Sequence, residues 1–250
     1  MNAHRSIRLL SDAPLDGPSN MARDEALLIE VGRRASPPTL RLYEWDPPTV
    51  SLGYFQPIAA FERLPAPAGS LAVVRRLTGG GAILHDRELT YAWVLPDDHA
   101  LLAGGPNRLY ELAHQAIAAA LRDLGPTATT AGVSDDSGPR RGPFFCFGRR
   151  HRFDLVVGEA KIAGSAQRRT RHAVLQHGSI VLDNRFPQQP SARVDGPTDD
   201  AAQRLRAGLR RAFAEVTRCD ITAGTWTAPE GAVAADLIGK YAGVEWTGRV

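Results

Sequence analysis

Cys146 stands between Phe145 and Phe147, and the basic run Arg149-Arg150-His151-Arg152 follows it closely. A cationic neighbourhood favours the thiolate, the nucleophilic form of cysteine. The same context also allows a buried core thiol, the commoner fate of a free cysteine. Lys161 opens the segment Lys161-Ile162-Ala163-Gly164-Ser165-Ala166-Gln167 after a Gly158-Glu159 turn. The chain uses arginine almost everywhere and has lysine only at Lys161 and Lys240. Lys161 therefore reads either as a cation held in a cleft, steadying a thiolate or an acyl carbonyl, or as a solvated strand end. Gly164, Ser165 and Ala166 are small enough to let a ligand approach the backbone.

A third group is Arg75-Arg76-Leu77-Thr78-Gly79-Gly80-Gly81-Ala82-Ile83-Leu84-His85-Asp86. Each glycine costs about 1 kcal/mol against alanine in a regular element, so three together exclude a helix or strand interior. They suit a backbone that passes close to something else, or bare N–H groups facing an anion or acyl carbonyl. A plain hairpin loop fits them equally well. The two arginines suit a carboxylate or phosphate. His85 and His177-Gly178 read as pocket wall rather than as general bases. The chain has no phosphate-binding GK[ST] loop, no Ser-His-Asp arrangement and no CxxC. Its two cysteines, Cys146 and Cys219, make no metal site; Cys219 reads as core.

These residues need a scaffold. The 250 residues are 43% hydrophobic and 23% charged, as in an ordinary globular protein with a core. The net charge of +3 is mildly basic; it suits an acidic partner or anionic small molecule and argues against nucleic acid. No apolar run is long enough to span a bilayer, and the first ten residues lack a secretory apolar core. Two free thiols without a signal segment point to the cytoplasm. The spacing predicts helices over 21–30, 107–124, 198–217 and 230–241. The helix over 107–124 carries the clearest stripe, Leu109, Leu112, Ala113, Ala116, Ile117, Ala120 and Leu121. Ser19-Asn20 and Thr198-Asp199-Asp200 read as helix caps. Strands are expected over 39–45 and 49–54, paired as a hairpin, and over 71–74, 89–95, 153–157, 161–167 and 173–182. The polar insert 132–142 reads as a loop. The order is α+β with a mixed or antiparallel sheet flanked by helices.

The glycine segment resembles the RR-x-[ST]-GGG-A-x-x-HD signature of the biotin/lipoate ligase and octanoyltransferase superfamily. Lys161 to Arg168 is similar to its K-[IV]-[AS]-G-S-A-Q strand, and Leu175-Gln176-His177-Gly178-Ser179-Ile180 to its LQHGS[IL] strand. The resemblance runs from about residue 18 to 185. It implies the class II synthetase-related fold of that superfamily: one catalytic domain over 1–250, core about 20–220, with a C-terminal helical extension and no separate accessory domain. Cys146, with the Phe153-Asp154-Leu155 and Lys161 segments behind it, resembles the cysteine-dependent octanoyltransferases related to lipoate ligase.

The activity so implied is octanoyl transfer from acyl carrier protein, through a Cys146 thioester, to a lysine of a lipoyl domain or of the glycine-cleavage H protein. Cys146 and Lys161 would be catalytic. Arg76, Gly79, Gly80, Gly81, Ala82, Ile83, His85, Gly164, Ser165, Ala166, His177 and Gly178 would line the acyl site. No cofactor is implied; ATP and magnesium enter only if the chain is instead a lipoate-protein ligase. Transfer between carrier domains and a catalytically inactive binding module complete the alternatives. A monomer is expected. The basic run Arg149 to Arg152 exceeds what the resemblance implies after that cysteine; it would meet a phosphopantetheine phosphate or an acidic carrier, or be a solvated turn.

Overall fold

Apolar periodicity becomes eleven strands and six helices in the computed structural model, which describes residues 6–132 and 142–250. In chain order they are β1 (Ser6–Ser11), α1 (Gly17–Gly32), β2 (Thr39–Tyr43), β3 (Thr49–Leu52), α2 (Ile58–Glu62), β4 (Ala72–Arg75), β5 (Ile83–His85), β6 (Glu88–Pro96) and α3 (Arg108–Arg122). Then come β7 (Thr129–Thr130), β8 (Leu155–Val157), β9 (Ala160–Arg169), β10 (Ala173–Val181), α4 (Thr198–Thr217), β11 (Asp220–Ala223), α5 (Ala228–Ala242) and α6 (Val244–Thr247). Residues 133–141, most of the expected insert, lie outside the described residues.

The large sheet has the order β11-β1-β2-β6-β10-β9-β8-β7, parallel from β11 to β2 and antiparallel beyond. A small sheet has the order β4-β3-β5. This is the expected α+β architecture with mixed sheets. The apolar stripe of α3 and residues Leu205, Leu209 and Phe213 of α4 cover one face of the large sheet, against Tyr91, Trp93 and Leu95. Helices α1 and α5 cover the other, through Met21, Leu27, Val31 and Tyr241 against Tyr43, Val94 and Leu175. Both faces of the central strands are thus dry, and β6 and β10 are buried along their whole length. Among the described residues no helix is long and apolar enough to cross a membrane.

Three local expectations are corrected. The segments 39–45 and 49–54 do not form a hairpin: β2 pairs with β1 and β6, whereas β3 lies in the small sheet. Pro47 and Pro48 cannot donate ladder hydrogen bonds, and every residue of β2 is buried, so β2 needs partners on both sides. The glycine loop closes no hairpin either. It carries the chain from β4 across to β5, with β3 between them. The caps also differ. Asp16 caps α1 through Ser19 N–H, while the Asn20 amide holds the carbonyls of Leu15 and Glu44. Pro197 precedes α4 with no side-chain cap. Strand β11 was not expected; its alternation is confined to Ile221 as its one buried residue.

The C-terminal helix α5 is anchored by a buried ion pair. Glu230 closes a capping box with Thr227 and also holds Arg8 of β1 and Ser36. Burial pushes the Glu230 carboxyl up, but Arg8, Ser36 and the Thr227 N–H outweigh this and bring it from 4.5 down to about 2. A lowered carboxylate pKa stabilises the fold fully above pH 4.5, and that contribution is lost as pH falls toward 2. Glu230→Gln is expected to cost about 3 kcal/mol of unfolding free energy at neutral pH by stranding Arg8. It should also flatten the stability profile between pH 4.5 and 2, read from urea melts across that range; an unchanged acid slope would refute the assignment.

Candidate active site

The glycine loop sets the position of Cys146. Cys146 N–H donates to the Ala82 carbonyl at 2.7 Å, and Ala82 N–H donates to the Phe144 carbonyl at 3.1 Å. Ala82 and Phe145 thereby form a parallel bridge. A Cβ on Gly81 would lie 3.1 Å from the Cys146 main-chain N and Cα. Any larger residue would have to push the Cys146 main chain aside by a few tenths of an ångström, so glycine suits this close pass. The arginine pair does not clamp an anion. Arg76 donates to the carbonyls of Ser51, Gly79 and Gly81, and Arg75 to those of Gly53, Tyr54, Gln56 and Thr247. Both are buried; Arg76 braces the glycine loop and Arg75 the 53–56 stretch and the C-terminal end, and burial brings Arg76 down to about 10.

Lys161 of β9 is buried, not solvated. Its Nζ lies 3.4 Å from Cys146 Sγ, 3.4 Å from the Cys146 carbonyl and 2.7 Å from Asp154 Oδ2. The Phe147 ring centroid is 5.2 Å away on another side. Burial alone would lower the lysine pKa, but the charges of Cys146 and Asp154 outweigh it and raise it above 10.5. Asp154 Oδ2 also accepts the His151 N–H at 2.7 Å, which fixes the carboxylate. A Cβ on Gly164 would sit 2.4 Å from Lys161 Cε and 3.0 Å from Asp154 Oδ1, so glycine is what leaves room for the ion pair.

Beside this pair lies a narrow cavity of about 20 Å³, lined by Met21, Tyr43, Trp45, Arg76, Ile83, His85, Thr90, Ala166, His177, Gly178 and Ser179. Ile83 joins it to the nucleophile, because Ile83 packs with Phe147 and Val181 against Cys146. The two histidines are built into the wall. His85 stacks on Trp45, centroids 3.8 Å apart, with Nε2 2.7 Å from Ser51 Oγ. Burial lowers its pKa against the pull of Glu88, leaving a neutral ring at pH 7. His177 spans Asp24 Oδ2 at 2.9 Å and Thr78 Oγ1 at 2.7 Å. Burial pushes Asp24 up, but bonding from His177 and the Arg41 charge hold it below 3.8. An ionised carboxylate only accepts, so His177 Nδ1 carries a hydrogen.

Of the residues expected around an acyl chain, Arg76, Ile83, His85, Ala166, His177 and Gly178 line the cavity. Gly79, Gly80, Gly81 and Ala82 form the loop beside it, and Gly164 flanks Lys161. The Ser165 hydroxyl is turned away: it lies 2.7 Å from Tyr91 Oη and 2.6 Å from His114 Nε2. His114 is held neutral, since burial brings it down to about 4, and it bonds the Phe153 carbonyl. Sequence reasoning gave no role to Asp154, Met21 or Trp45. A lone aspartate inside an apolar strand start, just before the isolated lysine, was the signal for Asp154. Met21 and Trp45 looked like ordinary core. Among the described residues no group of three or more His, Cys, Asp or Glu could hold a metal ion.

The basic run divides. Arg149 donates to the carbonyls of Pro143 and Gly142, and Arg152 lies over the Phe153 ring. Arg150 reaches Glu159, donating to its carbonyl at 2.6 Å and its carboxylate at 2.7 Å.

The chain is similar to known proteins over most of its length. The Octanoyltransferase LipM of Moorella thermoacetica is 37% identical over 97% of both chains, and that of Symbiobacterium thermophilum is 43% identical over 72% of this chain and 66% of its own. A lipoate-protein ligase A solved with ATP superposes with a TM-score of 0.76 at 26% identity, covering 98% of this chain and all of its own. A T. acidophilum protein solved with lipoic acid does so at 0.74 and 26%, over 97% and 99%. The sequence profile of the lipoyl protein ligase A/B catalytic domain matches residues 16–217, and the chain belongs to that family.

Proposed function

We propose that this chain is a protein octanoyltransferase of lipoate assembly that works through a thioester on Cys146. The observation that carries the reading is the 3.4 Å approach of the buried Lys161 ammonium to Cys146 Sγ, at the edge of an apolar cavity. Chain-long similarity to octanoyltransferases supports it. An adenylating ligase needs no nucleophile at this position.

The Cys146 thiolate attacks the carbonyl carbon of the octanoyl thioester on acyl carrier protein. The new carbon–sulfur bond forms, the donor's carbon–sulfur bond breaks, and the donor thiolate leaves to take up a proton. The neutral amine of a lysine on a lipoyl domain or glycine-cleavage H protein then attacks the acyl-enzyme. A carbon–nitrogen bond forms, the Cys146 thiolate returns, and the amine gives up a proton. Lys161 steadies the thiolate before each transfer and after it. Asp154 keeps Lys161 aimed and charged. The octanoyl chain occupies the cavity between Ile83, Trp45 and Met21. At about 20 Å³ the cavity as it stands has room for roughly one water, so the chain enters only as these wall residues move apart.

Incubation with octanoyl acyl carrier protein, without ATP, is expected to add one octanoyl mass to the intact protein, and Cys146→Ala to abolish the adduct. No adduct, or one that survives the substitution, removes the covalent mechanism. Lipoyl-domain modification that appears only with free acid and ATP would make the chain a ligase.

A raised lysine pKa keeps the charge nearly complete until pH comes within about a unit of 10.5, and the charge is lost as pH rises through the folded value. The rate of Cys146 acylation should therefore show no alkaline loss from Lys161 below about pH 9.5. In Asp154→Asn the alkaline limb should move to lower pH, and kcat/KM should fall by roughly tenfold or more with the lost charge-assisted hydrogen bond. Identical pH profiles for the two proteins would exclude this role for Asp154.

A further inference from the structure

A second recess meets the reaction centre from the solvent side. It is an open groove of about 370 Å³, with Phe147, Gly148, Lys161 and Pro190 along it and Arg150 and Glu159 at its rim. Lys161 and Phe147 lie beside Cys146, so the groove and the acyl cavity converge on the same sulfur. The narrow, apolar cavity is the side for the hydrocarbon chain. The groove is the route left for the group that carries the thioester in.

We infer that Arg150 binds the phosphodiester of the acyl donor's prosthetic arm as that arm lies in this groove; the inference rests on the octanoyltransferase reading. Arg150 is the member of the basic run that lines the groove. Arg150 is four positions on from Cys146, at most about 14 Å of fully extended chain. The guanidinium is fixed by the Glu159 main-chain carbonyl at 2.6 Å, whatever the Glu159 carboxylate does. That carboxylate is 91% exposed and follows Gly158 in a turn with φ of 58°. An exposed ion pair of this kind is worth little, so a phosphate can displace the carboxylate at small cost. In return the planar guanidinium gains a charge-assisted, two-pronged contact with phosphate oxygens. Glu159 then acts as a placeholder that keeps the arginine extended along the rim until a donor arrives.

The test compares two small donors, octanoyl-pantetheine and octanoyl-4′-phosphopantetheine, by the kcat/KM of acyl-enzyme formation read by intact mass. The wild-type protein is expected to favour the phosphorylated donor roughly tenfold, the worth of one charge-assisted contact. Arg150→Gln should bring that ratio close to one, Arg150→Lys should keep part of it, and Glu159→Gln should raise it above the wild-type value. A wild-type ratio of one, a ratio that Arg150→Gln leaves in place, or equal loss with both donors in Arg150→Gln overturns the assignment. Failure of both donors in the wild-type protein, with carrier-bound octanoyl also rejected, instead overturns the transferase reading and the phosphate site with it.

Discussion

The buried carboxylate of Asp24 holds four parts of the molecule together. It sits on α1, accepts from Arg41 of β2 and Tyr43 of the same strand, and receives His177 of β10. His177 in turn meets Thr78 at the start of the glycine run. Arg41 is itself wholly buried and shares its charge with Asp12 and the Asn20 side chain. A charge this deep is tolerable only when every partner is in place. The cavity wall, the central sheet and the loop behind the nucleophile therefore form as one unit. Loss of one partner exposes the others to the full cost of burial.

Much of this was legible in the sequence. The stripe on α3, the β9 and β10 runs and the expected strand pair 153–157 with 161–167 all appear where periodicity placed them. Local pattern sufficed because each element buries a face that its own spacing defines. The pairing of β2 and β3 was not legible, because adjacency in sequence says nothing about which sheet a strand joins. The arginine pair shows the same limit. A cation beside glycines reads as an anion site, yet the groups it meets are main-chain carbonyls of its own loop, of the 51–56 stretch and of Thr247. Side-chain type identifies a donor but not its acceptor.

The site was legible to a similar degree. Cys146, Lys161 and the two histidines stand out by residue type; the histidines line the cavity, and Cys146 meets it through Ile83. Asp154 escaped because its role exists only in three dimensions: it becomes visible once Gly164 is seen to make room for a lysine that turns back toward it. Ser165 erred the other way. Its neighbours face the cavity and its motif is small and polar, but strand alternation points its hydroxyl to Tyr91 and His114 on the far side.

The bridge between Ala82 and Phe145 fixes Cys146 to the small sheet, whereas Lys161 is a residue of the large one. The reactive pair thus straddles a seam between two separately hydrogen-bonded bodies. The sulfur–nitrogen gap is therefore fixed by whatever holds the two sheets in register, and the contact of His177 with Thr78 is one such tie.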